Sequence, residues 1–209
     1  MNAPDARIHT PAAERNRGPI LDQLRRVLPP RGRLLEIAAG SGQHAVHCAS
    51  ALPGWVWLPT DPDPSALQSI SAWQAEARLA NLLPPQALDV MQQPWPVACP
   101  FDAVLAVNLI HIAPWACCRA LMRGAAAVLR DDGLLITYGA VFVDGEPPAS
   151  GNLAFDADLR ARNPAWGVRT LAAVTGEAAA AGLVLDECVA MPANNRLLVF
   201  RRAGVKPSP

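Results

Sequence analysis

Three acidic residues, Glu36, Asp61 and Asp89, recur within or just after segments that read as β-strands, and two glycines, Gly40 and Gly42, follow the first of them. A carboxylate at a strand end can accept hydrogen bonds from an amine or hydroxyl. Glycines let the backbone turn tightly and a ligand approach closely, and a helix N-terminus beyond them offers free N–H groups and positive potential. The stretch Arg33 to Cys48, R-L-L-E-I-A-A-G-S-G-Q-H-A-V-H-C, has all three parts: an apolar strand through Leu34, Leu35 and Ile37, the glycine turn, and a helix from Gln43. It reads as a cofactor cradle, although a bare strand–turn–helix is also ordinary turn chemistry.

The spacing E-x-x-x-G-x-G departs from the dinucleotide fingerprint G-x-G-x-x-G: no third glycine closes the pattern, and an acid precedes it. That favours S-adenosylmethionine over a pyrophosphate cofactor. Glu36, Ala38, Gly40, Gly42 and His44 form the expected cradle, with Asp61 at the ribose, Asp89 at the adenine amine and Asn108 beside them. Asp63 is expected to cap the following helix. The alternatives are a capping role for Asp61 and a surface position for Asp89. His44, His47 and Cys48 share the helix, but no second cluster at zinc spacing accompanies them, so no metal is expected.

Further along, F-D-A-V-L-A-V-N-L-I-H is the most apolar strand in the chain, suited to burial on both faces. Asn108 and His111 follow at its carboxyl end, where polar residues face a ligand, and His111 is the candidate base or hydrogen-bonding partner. Tyr138, the sole tyrosine, sits near the end of the next strand and is the second catalytic candidate. Both have structural alternatives, a histidine anchoring a loop and a tyrosine anchoring a sheet edge. Trp115, Asn152, Arg169 and Asn194 are expected to line the acceptor site. Arg15, Asn16 and Arg17 lie in a polar segment, residues 10–18, that reads equally as a lid or as a solvated leader.

These residues are positioned by alternating strands and helices. A helix whose second half is amphipathic (Ile20, Leu21, Leu24, Val27, Leu28) ends at Pro29-Pro30. Strands follow at Trp55–Leu58, around Leu88 and at Phe101–Val107, with helices at 65–79 and 116–129. R-D-D-G turns into the strand L-L-I-T-Y-G-A-V. An irregular loop then runs from Phe142 to Asp156, with a short helix at 157–162 and another at 170–181. Two closing strands joined by P-A-N-N imply an antiparallel hairpin in which Asn194 and Asn195 serve the turn. The fold class is α/β: a mostly parallel sheet with a C-terminal antiparallel hairpin and helices on both faces. It is expected as one domain over residues 1–203, with 204–209 a disordered tail.

The 209 residues carry 18 basic and 18 acidic side chains and no basic run, which weighs against nucleic acid. No apolar stretch approaches membrane-spanning length and the N-terminus has no signal-peptide core, so a cytoplasmic protein without membrane partners is expected. Five scattered cysteines suit buried thiols in a reducing compartment.

The order of elements, with E-I-A-A-G-S-G after the first strand, resembles the class I S-adenosylmethionine-dependent methyltransferases. More narrowly, A-A-E-R-N-R-G-P-I-L, G-Q-H-A-V-H, N-L-I-H-I-A-P-W, P-A-W-G-V-R and M-P-A-N-N resemble the domain-of-unknown-function 938 family, of the methyltransferase-like protein 26 type. The resemblance implies a Rossmann-like fold, with Glu36, Gly40 and Gly42 around the methionine part of the cofactor; it supplies no substrate. Asn108 stands where amino-methylating nucleic-acid enzymes carry N-P-P-Y, but Leu109-Ile110-His111 follows, without the ring that stacks a flipped base. The expected activity is methyl transfer to a small-molecule acceptor. Alternatives are a protein methyltransferase, a non-catalytic S-adenosylmethionine-binding module and, disfavoured by the absent third glycine, a nicotinamide-dependent oxidoreductase.

Overall fold

The computed structural model describes residues 5–203; the tail 204–209 lies outside the described residues. The chain forms two compact units, one up to Asp89 and one from Val90.

The first unit opens with α1 (Pro11–Val27), followed by β1 (Gly32–Ile37), α2 (Gln43–Ala51), β2 (Trp55–Asp61), α3 (Pro64–Ala77) and β3 (Gln86–Ala87). The strands are parallel, with β2 in the middle: Leu34 pairs with Trp57 and Glu36 with Pro59, while Thr60 pairs with Gln86. Strand β2 runs on through Pro59 to Asp61, where sequence expects its end at Leu58. Proline is tolerated because its missing N–H falls before the short β3 begins to pair.

Helix α1 is continuous through residues 11–18, and it carries Pro19 in its interior. Only Ala13 is buried in its first turns, whereas Ile20, Leu21 and Leu24 are buried in its second half. Apolar periodicity therefore reports only that half. What fixes the start is Thr10, whose hydroxyl caps the Ala13 N–H, and Pro11 at the first helical position.

The second unit holds β4 (Phe101–Val107), α4 (Trp115–Val128), β5 (Leu129–Phe142), α5 (Ser150–Arg162), β6 (Arg169–Thr170), α6 (Leu171–Ala180), β7 (Leu183–Met191) and β8 (Asn195–Arg202). Strands β4 and β5 are parallel; β8 pairs antiparallel with β7, as the P-A-N-N turn requires, and also antiparallel with β5. The R-D-D-G stretch is an irregularity inside β5, since the register jumps from Phe101↔Leu129 to Ala103↔Leu134. Helix α5 starts at Ser150, well before the expected 157, and β6 is an unforeseen strand on the end of β5.

The whole is α/β, with mostly parallel strands, an antiparallel C-terminal pair and helices packed around them, as the sequence implies. Cys48 and Cys118 are buried, but Cys99 is exposed in the loop before β4, which corrects the reading of all five thiols as buried. Among the described residues no helix is long and apolar enough to cross a membrane.

Candidate functional site

In the first unit, β1 delivers Glu36 into the interior beside the glycine turn. The carboxyl is 1% exposed; Oε2 accepts from Trp57 Nε1 at 2.6 Å, while Oε1 is buried without a partner. Burial pushes Glu36 up to about 7. The Trp57 hydrogen bond opposes that rise and the Asp61 charge adds to it.

Beyond Glu36 the backbone enters the left-handed region at Ala38 (φ 53°), Gly40 (φ 56°) and Gly42 (φ 85°). Gly42 is the N-cap of α2 and offers no side-chain cap; the Gln43 N–H donates to Ser41 Oγ at 3.4 Å, and the N–H groups of His44 and Ala45 follow it without an intrahelical acceptor. A Cβ on Gly42 would sit 3.0 Å from the Ile70 Cα, and its φ is costly for any other residue.

Asp61 binds the turn directly: Oδ2 accepts the Gly40 N–H and Oδ1 the Asp63 N–H, both at 2.9 Å. Asp63 caps α3 through the Ser65 N–H at 2.8 Å, as expected. His44, in the first turn of α2, is buried with an unpartnered Nε2, and burial pulls it down to about 4, with His47 and Arg17 adding to the effect. Asp89 is half-buried, two residues past the short β3.

Gln43 is a hub the sequence did not single out. Its Oε1 accepts from the Thr10 N–H at 2.7 Å and from Ser41 Oγ at 3.1 Å, and its Nε2 donates to Glu14 at 2.7 Å. Residues 5–10 then strap across α3: the Ile8 N–H donates to Ser69 Oγ, which donates to the Ser41 carbonyl, and Arg7 and His9 pack on Trp73. Arg17 pairs with Glu14 at 2.7 Å, Asn16 is half-buried and Arg15 faces solvent. Ser69→Ala removes both bonds of a fully buried hydroxyl. It is expected to cost about 1–3 kcal/mol of stability in urea unfolding and to speed amide exchange at Ile8.

In the second unit, Asn108 follows β4 with φ 63°, and its N–H donates to the Tyr138 carbonyl at 2.7 Å. Tyr138 is buried mid-sheet, in register with Val107 and Leu197. His111 is also buried, its ring edge-on to Phe155 with centroids 5.3 Å apart, and its carbonyl accepts the Gly167 N–H at 3.0 Å. Burial, with Arg169 adding, brings the imidazole down to about 4. It is neutral near pH 7, free to accept a hydrogen bond but a weak base.

The ring lies against Gly139, where a Cβ would come within 2.7 Å of Cε1 and 2.8 Å of Nδ1. Gly139→Ala should shift this ring and cost about 1–3 kcal/mol, measurable by denaturant unfolding together with the displaced His111 ring resonances.

Arg169 reaches the Ala113 and Ala165 carbonyls and stacks 5.5 Å over Trp115, so it braces β6 against the start of α4. Asn152, buried on α5, donates to the Asn194 carbonyl at 3.0 Å. The structure thus joins Asp61 to Gly40, Asn108 to Tyr138, Arg169 to Trp115 and Asn152 to Asn194, whereas Arg15 faces solvent. Sequence reasoning missed Gln43, Ser69, Trp57, Gly139 and Phe155; only Gln43, directly after G-S-G, carried a local signal.

Residues 7–202 match the family described as protein of unknown function DUF938. The chain belongs to that family. Among solved structures, DUF938 residues here superpose on an O-methyltransferase family 2 protein from Planctomyces limnophilus in complex with apigenin (TM-score 0.76, 20% identity, 92% of this chain and 58% of that one). The pyocyanin biosynthetic protein PhzM matches with TM-score 0.75 and 19% identity over 89% of this chain and 55% of its own. CalO1, a methyltransferase in calicheamicin biosynthesis in its SAH-bound form, gives 0.71 and 16% over 90% and 54%. The chain therefore spans a little over half the length of these proteins, and the likeness establishes a shared Rossmann-like fold.

Proposed function

We propose that this DUF938 protein is an S-adenosylmethionine-dependent methyltransferase acting on a small molecule. The observation that carries the reading is the buried Glu36 carboxyl, with one oxygen unpartnered, beside a left-handed turn that leads into the N-terminus of α2. A buried carboxylate with a vacant acceptor suits a cationic donor, and free helix N–H groups suit a carboxylate; an amino-acid end bears both charges. Glu36 would hold the ammonium and the first turn of α2 the carboxylate, with Gly40 and Gly42 shaping the turn between them; Asp61 would hold the ribose and Asp89 the adenine. His44 and Ala38 border that cradle.

S-adenosylmethionine supplies an already activated methyl group, so the protein has mainly to orient an acceptor and exclude water. Asn108 and Tyr138 would position the acceptor. His111, neutral near pH 7, would orient its nucleophile by accepting a hydrogen bond, a role better matched to its burial than strong base catalysis. The three similar proteins named above are described with small-molecule biosynthesis or a flavone ligand, which supports a small acceptor.

The test is incubation with methyl-labelled S-adenosylmethionine and a metabolite extract in one arm, a protein extract in the other. Label in the metabolite fraction is expected. Label confined to protein would move the reading to a protein methyltransferase, and cofactor binding without transfer to a non-catalytic module.

A further inference from the structure

The second unit holds a cavity of about 240 Å³ at the carboxyl end of β5, walled by the β5–α5 loop, the first turn of α5 and the β7–β8 turn. That is room for one substituted ring. Phe142 and Met191 form an apolar wall, and Asn152, Asn194 and Asn195 supply amides.

Asn152 spends one N–H on the Asn194 carbonyl, and Asn195 spends one on the Pro192 carbonyl, each at 3.0 Å. Each side chain keeps a second N–H and a carbonyl oxygen. The turn that aims them is held in an uncommon shape, with Ala193 and Asn194 both left-handed at φ 55° and 59°. The charged groups of the lining, Arg196 and Glu146, are paired with each other.

A singly charged ligand would compete with the Arg196–Glu146 pair for its counter-charge, whereas an uncharged group with both a donor and an acceptor meets the asparagines without disturbing the pair. Helix α5 links this cavity to His111. Phe155, which packs on that imidazole, lies three residues after Asn152 and so on the same side of the helix.

We propose that this cavity recognises the methyl acceptor, and that the acceptor is an uncharged molecule presenting a carboxamide- or lactam-type edge. The assignment rests on the methyltransferase reading for the word acceptor, but the ligand class rests on the cavity alone.

The test uses the full chain, labelled with nitrogen-15, and three probes of nearly one shape: benzamide, benzoate and benzylamine. Benzamide is expected to shift the side-chain amide signals of Asn152 and Asn195 and to bind at least about tenfold more tightly than either ion, the scale of one unpaired polar group. Asn195→Ala, at a half-buried position, should weaken benzamide binding while lowering the unfolding midpoint only by the loss of the one exposed hydrogen bond to the Pro192 carbonyl.

Benzoate or benzylamine matching benzamide, no probe shifting these signals, or benzamide binding unchanged in N195A each overturns the proposal. S-adenosylmethionine titrated into the same sample reads the Glu36 side independently. Absent cofactor binding with benzamide intact sinks the methyltransferase reading, and the reverse result sinks the cavity assignment.

Discussion

Glu36→Gln is expected to weaken S-adenosylmethionine binding by at least about 30-fold, close to 2 kcal/mol, while leaving the protein as stable at pH 8 as the native chain, or more so. The opposite signs follow from one fact, that the Glu36 carboxylate is buried and only half satisfied. At pH 8 the native carboxyl is ionised at a desolvation cost on the order of 3 kcal/mol, inferred from its rise from 4.5 to about 7. A glutamine keeps an acceptor for Trp57 Nε1 and removes the charge; its amide nitrogen then lacks a partner, which offsets part of the gain. What it removes outright is the anion that faces the ammonium. Calorimetry with the cofactor and urea unfolding at pH 8 read the two effects. A variant that lost stability and binding together would make Glu36 a structural residue instead.

The second large effect is on pH. A carboxyl whose folded pKa is raised holds its proton in the native state where the unfolded chain has released it. Its contribution is therefore full below about 4.5 and lost as pH climbs through about 7. The difference in stability between the native protein and Glu36→Gln should fall by about 3 kcal/mol across that window and stay flat above it. Cofactor affinity should run the other way, because only the ionised carboxylate attracts the ammonium. From about pH 6 to about pH 8 the dissociation constant should fall about tenfold, with proton release on binding near neutral pH. Calorimetry in two buffers of different ionisation heat measures both. An affinity flat over that range would contradict the role given to Glu36.

The parts of this site that were legible are those written locally. Leu34, Leu35 and Ile37 before Gly40 and Gly42 specify a strand, a turn and a helix within one short stretch, and the structure places each there. P-A-N-N between two apolar runs likewise specifies the closing hairpin. Contacts made by register were not legible. Trp57 reaches Glu36 because β1 and β2 pair with Leu34 opposite Trp57, and nothing within either strand states that offset.

Helix α5 was hidden for another reason. It buries only Asn152 and Leu159, so it shows no apolar stripe, and its first turn, Ser150-Gly151-Asn152, has the composition of a loop. The first half of α1 escaped in the same way: its anchors are the Thr10 cap and the Glu14–Gln43 hydrogen bond, polar contacts without hydrophobic period. Ala38 shows the limit of motif reading. It occupies a left-handed position where glycine would be expected, so the turn keeps its shape although the letter differs.

Calorimetric titration of the native protein at pH 8 with S-adenosylmethionine and, separately, with NADH decides whether the Glu36–Gly42 turn holds S-adenosylmethionine. Saturable binding of S-adenosylmethionine, with no heat from NADH, is the predicted result. Binding of NADH without binding of S-adenosylmethionine would contradict it.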